Sequence, residues 1–472
     1  MTPEEFRTYG HEIVDWMADY MAGVEKLPVK PDIPPRAIID QLPAAPPDAP
    51  EPFPRIFDDF RSIILPGMTH WQHPSFFAYF PANSSPPSVL GEMLTATLGA
   101  QCMSWATSPA ATELEQRVME WLRSMIGLPA SFTGVIQDTA STATLCAILT
   151  AREQRSGYAV NERGYASGMR YTVYCSSEAH SSVEKAVKIA GIGREYLRKI
   201  QVDGSYAMDP SALDAAITAD IRQGLTPLCV VAAIGTTGST ALDPVPAIAD
   251  ICRRHRVWLH CDAAFAGNAL ILPECRWIAE GIDAADSVVF NPHKWMLTNF
   301  DCSAYFVRDP GALVRTFEIL PEYLKTPEGD RVNNYRDWGI QLGRRFRALK
   351  LWFVIRSYGV SGLQAVLRNH IAMAQTLAAT MRATPDFALL APVPLNVICF
   401  RYAPPSVTDP VALDALNTRL HALLNADGTM FLTHTKLAGR YTLRLVIGQT
   451  NVRQSHVDAA WAKIVSTARS LA

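Results

Sequence analysis

The sequence predicts an α/β protein with a large, mostly parallel sheet domain, a small C-terminal α+β domain and an N-terminal helical arm. Three observations predict it. Between about residues 130 and 310, short β-branched runs alternate with helix-length segments. The start of the chain reads as helix, proline-rich strap and helix, and beyond about residue 350 long helical patterns frame two short apolar runs. The expected boundaries are 1–84, 85–350 and 351–472.

The arm opens on Thr2, Pro3 and Glu5, a helix-start pattern, and Phe6, Tyr9, Ile13, Val14, Met17 and Tyr20 then recur at helical spacing. Ten of the 33 prolines fall between Pro28 and Pro54, which favours an extended crossing segment. A second stripe follows in Ile56, Phe57, Phe60, Ile63 and Ile64. These pieces cannot close a core of their own. They are expected to bury their apolar faces against the main body or a second subunit, and the strap reads best as an arm laid on a partner.

The strand runs are Tyr171 to Cys175, Leu228 to Ile234, Val257 to Cys261, Ser287 to Phe290 and Ser303 to Val307. Runs that are apolar on both sides belong to a parallel sheet covered on both faces. In such sheets ligands sit at the carboxyl ends of the strands, so the residues just past each run are the candidates for chemistry. Further on, helical patterns at Leu363 to Met381, Ala412 to Leu424 and Val457 to Leu471 frame expected strands at Leu395 to Tyr402 and Tyr441 to Ile447.

Composition excludes several classes. With 49% hydrophobic residues in a chain of 472, disorder is not an option for most of it. The 43 basic and 45 acidic residues leave a net charge of −2, so no basic footprint for nucleic acid or an anionic membrane is present. The longest apolar run, Leu228 to Ile234, is far too short to span a bilayer. The acidic start Met1-Thr2-Pro3-Glu4-Glu5 does not read as a secretory signal, and nine cysteines without a Cys-x-x-Cys pair read as reduced thiols in a cytoplasm. No zinc-type cluster occurs, and no metal is expected.

Past Val289-Phe290 comes Asn291-Pro292-His293-Lys294-Trp295. A lysine in an apolar neighbourhood can lose its proton through desolvation and form a Schiff base, although a lone lysine in a loop is ordinarily just a surface residue. The run Val257 to Cys261 ends in Asp262-Ala263-Ala264, a carboxylate that by itself reads as a helix cap or a structural ion pair. Tyr171 to Cys175 leads to His180, which also fits the cap of a helix starting near Ser182. The segment Gly134 to Thr142 runs into a helix with Leu145, Ile148 and Leu149 on its apolar face. Its small hydroxyl residues are N-caps or, with the helix dipole, a phosphate cradle. Gly235-Thr236-Thr237-Gly238 follows Leu228 to Ile234 and lacks the ending of a nucleotide P-loop. Together these are the parts pyridoxal phosphate needs: a lysine, a carboxylate for the ring nitrogen, a flat side chain for the ring and a helix start for the phosphate.

Asn291-Pro292-His293-Lys294-Trp295, with Asp262-Ala263-Ala264, Ala179-His180-Ser181-Ser182 and Leu342 to Arg347, closely resembles the group II pyridoxal-phosphate decarboxylases, above all those acting on aromatic L-amino acids. The resemblance covers essentially the whole chain and extends to His73 to Pro81 and to Trp105 with Ser108-Pro109-Ala110. It implies fold type I, as in aspartate aminotransferase, and a homodimer. It implies that Lys294 carries the cofactor, Asp262 pairs with the pyridinium nitrogen and His180 stacks on the ring. Thr139, Ala140, Ser141 and Asn291 would take the phosphate, Thr237 and Ala264 would line the ring, and His293 would sit beside the lysine. Tyr323, ahead of the polar stretch Thr326 to Arg331, matches a tyrosine that protonates the substrate Cα from a mobile loop.

The same resemblance bears on chemistry and substrate. Relatives with phenylalanine at the Tyr323 position, or asparagine in place of His180, tend to be oxygen-consuming aldehyde synthases, so both residues here favour simple decarboxylation. A non-catalytic dimeric scaffold is the alternative from another class, and four intact chemical residues argue against it. The expected pocket is Trp71, Tyr79, Phe80, Ala82, Met103 and Gly343. Gly343 matches a glycine associated with bulky indole or catechol substrates. Ala82 replaces a threonine that contacts catechol in animal relatives, which predicts that dopa loses its advantage over tryptophan, phenylalanine and tyrosine. Asp138 stands where animal relatives have glycine.

Overall fold

Seven strands form the larger sheet in the order β1-β7-β6-β5-β4-β2-β3. They are β1 (Thr133–Gln137), β2 (Tyr171–Ser176), β3 (Leu197–Ile200), β4 (Thr226–Ala233), β5 (Trp258–Asp262), β6 (Ser287–Phe290) and β7 (Ser303–Val307). β3, β2, β4, β5 and β6 run parallel, and β7 is antiparallel to both β6 and β1. The structure is a computed structural model that describes residues 1–166, 168–319 and 331–471.

The parallel strands are β-branched and aromatic, and every residue of β2, β6 and β7 is buried, as a sheet covered on both faces requires. The helix Ala140–Ser156 lies along β4 to β7 and packs Ala143, Cys146 and Ala147 against Val289, Tyr305 and Val307. Small side chains on that face let the helix approach the sheet closely. Toward β2 and β4, Leu145, Ile148 and Ala151 of the same helix join Val173, Cys175, Val183 and Val187.

Several expected bounds shift by one or two residues, and the second sheet has four strands where two were expected. β5 begins one residue later than the run Val257 to Cys261 and takes in Asp262 as its last residue, so the carboxylate is fixed by strand geometry rather than by a loop. The expected helix at Leu363 to Met381 is the second part of a longer element, Arg347–Arg382, interrupted at Gly359, whose φ of 63° a glycine tolerates without strain.

The chain divides into two compact units, one of residues 82–375 and 389–399, which holds the large sheet, and one of residues 1–81, 376–388 and 400–472. The second sheet has the order β10-β11-β9-β8, with β8 (Phe387–Leu389), β9 (Val397–Tyr402), β10 (Thr433–Leu437) and β11 (Arg440–Val446). In the unit that contains the chain start, the N–H of Val29 reaches Gly428 O at 2.7 Å, that of Phe77 reaches Phe431 O at 2.9 Å, and that of Val446 reaches Phe77 O at 3.0 Å. Thr2 and Glu5 form the capping box their spacing predicts. Yet no residue of the helix Pro3–Gly23 is buried, and Phe6 remains 64% exposed. No helix among the described residues is long and apolar enough to cross a membrane. All nine cysteines are buried, and none is in a disulfide.

Candidate active site

The ends of β1, β7, β6 and β5 are tied together by short polar links. Asp262 closes β5, and its Oδ1 accepts the N–H of Ala264 at 3.0 Å, while Oδ2 takes no donor among the described residues. The carbonyl of Ala264 accepts the N–H of Asn291 at 2.9 Å, and the carbonyl of Asn291 accepts the N–H of Lys294 at 3.0 Å. This chain of backbone bonds carries the turn from β6 into the single helical turn Pro292–Trp295 and sets Lys294 beside the end of β5. Below it, His293 is buried and its Nδ1 accepts the N–H of Cys302 at 2.8 Å. Burial first, then the neighbouring Lys294 charge, push the His293 pKa down to about 3, so the imidazole is neutral at ordinary pH.

His180 lies four residues beyond β2. Its Nδ1 accepts the N–H of Ser182 at 3.1 Å and bonds the Ser182 hydroxyl at 2.9 Å, so it does cap the helix Ser182–Ile189. The cap and the chemical reading coexist, because fixing Nδ1 fixes the ring. The side chain reaches solvent, yet desolvation by the atoms crowding it lowers its pKa; Asp262 opposes this and Lys294 adds to it. His180 therefore stands within electrostatic reach of both Asp262 and Lys294, and the three lie at the carboxyl ends of β2, β5 and β6.

At the end of β1, Thr139 caps the helix Ala140–Ser156 by accepting the N–H of Thr142 at 3.3 Å. The N–H groups of Ala140 and Ser141 have no intrahelical acceptor at such a start and are available to an anion. The antiparallel register sets Ser303 of β7 opposite Gln137, and its Oγ donates to Asn291 Oδ1 at 2.7 Å and lies 3.3 Å from the Asp138 carbonyl. Thr237 is exposed past the end of β4, and Ala264 is partly buried beside Asp262.

A carboxylate with one open oxygen, a lysine set beside it, a histidine ring held at one edge and a helix start with open donors suit a flat, protonated heteroaromatic ring bearing an aldehyde and a phosphate. The residues fit pyridoxal phosphate. Over residues 35–403 the sequence matches the pyridoxal-dependent decarboxylase conserved domain. The chain belongs to the pyridoxal-dependent decarboxylase family. It is 40% identical to a tyrosine decarboxylase of Petroselinum crispum over 484 residues, covering 100% of this chain and 94% of that one. It is 41% identical to a phenylacetaldehyde synthase of Arabidopsis thaliana, covering 100% and 97%. The crystal structure of Catharanthus roseus tryptophan decarboxylase in complex with L-tryptophan superposes with a TM-score of 0.94 at 37% identity, covering 100% of this chain and 99% of that one. The fold is therefore that of the fold type I enzymes, the cofactor is pyridoxal phosphate, and the chain is a carboxy-lyase of the group acting on aromatic amino acids.

The remaining expected residues fall in different places. Tyr323 lies outside the described residues. In the unit holding the large sheet, Ala82 is the first residue, Met103 O accepts the N–H of Arg336 at 2.8 Å, and Gly343 stands where a Cβ would meet Gln101 Nε2 at 3.2 Å. Trp71, Tyr79 and Phe80 belong to the other unit, where Trp71 stacks on Tyr79 at 5.7 Å and the Arg444 guanidinium sits 4.6 Å from the Phe80 ring. The sequence reading passed over Ser303, Asn268 and Gln341. Asn268 donates to Asn291 O at 3.1 Å, and Gln341 Nε2 donates to Asp138 Oδ2 at 2.8 Å. A serine opening a buried strand and an asparagine inside the apolar segment Ala266–Ile271 were the available signals.

Proposed function

We propose that the enzyme decarboxylates an aromatic L-amino acid, tryptophan, phenylalanine, tyrosine, dopa or 5-hydroxytryptophan, with dopa holding no advantage, to give the arylalkylamine and carbon dioxide. The observation that carries the reading is the meeting of His180, Asp262 and Lys294 at three strand ends. Bound pyridoxal phosphate supplies an aldehyde that captures amines and a protonated ring that accepts the electrons released with carbon dioxide. Lys294 would hold the cofactor through its side-chain amine. Asp262 keeps the proton on the ring nitrogen, since an anion within about 4–6 Å shifts a pKa by roughly one to three units. His180, with Nδ1 occupied by Ser182, presents a fixed ring face that orients the bond to the departing carboxylate. Thr139, Ala140, Ser141 and Asn291 grip the phosphate, Thr237 and Ala264 flank the ring, and Tyr323 returns the proton to Cα.

The second reading is an oxygen-consuming aldehyde synthase, favoured by the likeness to a phenylacetaldehyde synthase and opposed by His180 and Tyr323. One experiment separates them: incubation with each aromatic amino acid and with histidine, followed by measurement of amine, aldehyde and peroxide together. Amine without peroxide supports the decarboxylase. Equimolar aldehyde and peroxide overturn it, and a panel led by dopa overturns the substrate order. Tyr323→Phe should shift products toward aldehyde and peroxide. Lys294→Ala should abolish the yellow, borohydride-reducible form, and a colourless wild-type protein would revive the scaffold. The exposed apolar side of the helix Pro3–Gly23 supports a homodimer in which the arm lies on the partner, and nine buried cysteines without a disulfide support a reducing cytoplasm.

A further inference from the structure

We infer that Asp138 is a resident anion standing in for the cofactor phosphate at the start of the helix Ala140–Ser156, holding the cradle in shape before the cofactor arrives and loosening the grip afterwards. The inference rests on the reading above that the phosphate binds at this helix start. Asp138 Oδ1 accepts the N–H of Thr139 at 2.6 Å and lies 3.3 Å from the Thr139 hydroxyl, while Oδ2 accepts Gln341 Nε2 at 2.8 Å. Burial acts to raise its pKa, but hydrogen bonds from Thr142, Thr139 and Gln341 and the field of Arg347 outweigh burial, so the carboxyl lies below the usual range and is ionised at neutral pH.

A helix start attracts one anion well, through its open N–H groups and its dipole. Here the fixed carboxylate already takes the Thr139 N–H, the donor that immediately precedes those of Ala140 and Ser141 in the chain. A phosphate arriving at the same helix turn meets a like charge in a partly buried place, where screening is weak. Arg347, whose field reaches Asp138, is itself held by two hydrogen bonds to Asp301, at 2.9 and 3.2 Å. The carboxylate therefore favours the empty cradle and opposes the filled one. Asp138→Asn tests the charge without dismantling the contacts. Its carbonyl can still accept the Thr139 N–H, and its amide can donate to Gln341 once that carboxamide turns over.

The experiment titrates the full-length, cofactor-stripped protein with pyridoxal phosphate and, separately, with pyridoxal, which lacks the phosphate. The wild type is compared with Asp138→Asn, Asp138→Glu, Ser141→Ala and Asn291→Ala. Asp138→Asn is expected to bind pyridoxal phosphate about tenfold more tightly, as removal of a nearby like charge should. Its affinity for pyridoxal should be unchanged, and its cofactor-free form should melt about 2–4 °C lower for loss of the helix-start anion. Asp138→Glu, which keeps the charge, should bind like the wild type. If Asp138→Asn does not fold, Asp138→Gly carries the same expectation for affinity. Equal or weaker binding of pyridoxal phosphate by the uncharged variants, with Ser141→Ala and Asn291→Ala weakened, overturns the inference alone. If Ser141→Ala and Asn291→Ala bind pyridoxal phosphate as the wild type does, the phosphate lies elsewhere and both readings fall.

Discussion

Ser303 donates its hydroxyl proton to Asn291 Oδ1 over 2.7 Å, and that bond decides which way the asparagine carboxamide faces. With the oxygen engaged in the sheet, the two N–H donors of Asn291 are left for a ligand. Ser303→Ala removes the anchor and strands a buried carbonyl oxygen, at a cost of about 1–3 kcal/mol. The expected outcome is pyridoxal phosphate binding weakened about tenfold, with amine formation at saturating cofactor nearly unchanged. Equilibrium titration followed by a saturated rate measurement checks both halves.

Stability should fall with acid through two buried histidines. Burial lowers His260 to about 4 and His293 to about 3, against an ordinary 6.5. Unfolded, each gains its proton near pH 6.5; folded, neither does until far lower. Between pH 6.5 and about 4 the unfolded chain binds the extra protons, so stability declines as pH drops, by up to about 1.4 kcal/mol per pH unit for each group. Urea midpoints at pH 7 and pH 5 measure the loss. His260→Gln should start lower but lose less between the two pH values, and an equal loss would count against His260 as a source.

Glu115 and Arg344 form a buried bidentate pair, at 2.6 and 3.1 Å, and Glu115 Oε1 also accepts the Ile136 N–H at 2.9 Å. Removing one partner leaves an uncompensated charge, so Glu115→Leu should cost about 3–5 kcal/mol. The double variant Glu115→Leu with Arg344→Met should recover much of it. A chemical-denaturation cycle on the four proteins gives the coupling, and additive losses would mean the pair is not coupled.

Gly343 bears on substrate choice. Its new Cβ in Gly343→Ser would approach Gln101 Nε2 to 3.2 Å, and Gln101 Oε1 also accepts the Arg344 N–H at 2.7 Å. The long Gln101 side chain can give by a few tenths of an ångström, so the variant should fold while the neighbourhood of Gly343 narrows. The ratio of kcat/KM for tryptophan to that for tyrosine is expected to fall about tenfold, within what a small steric change in a pocket is worth. An unchanged ratio would remove Gly343 from the pocket.

The candidate site was legible where chemistry follows a strong strand signal. His180, Asp262 and Lys294 each lie at or just past a β-branched run, and continuous apolar runs separated by helix-length segments announce the mostly parallel sheet. What escaped depends on pairing across the sheet. The partnership of Ser303 with Asn291 exists only because β7 runs antiparallel between β1 and β6, and strand direction leaves no periodic mark in a fully buried run. Gln341 reaches Asp138 across 203 positions of chain, a contact that no local pattern encodes. The capping box of Thr2 and Glu5, by contrast, is a contact over three residues and could be read directly. The substrate pocket was the least legible part, because aromatic side chains at helix or loop spacing serve a core as readily as a ligand.

The nine buried thiols make the protein its own clock for opening. Burial raises Cys146, Cys175, Cys252 and Cys302 to about 12, so at neutral pH almost no thiolate exists there to react. An alkylating reagent can label these positions only while the surrounding structure is transiently apart, and the labelling rate at each cysteine reports how often that segment opens. Cys302, next to the Ser303 anchor, times the strand that holds Asn291, and Cys261 times the strand that ends in Asp262. Slower labelling at those two with cofactor present, and unchanged labelling at Cys252, would map how far the cofactor's stabilisation spreads through the sheet.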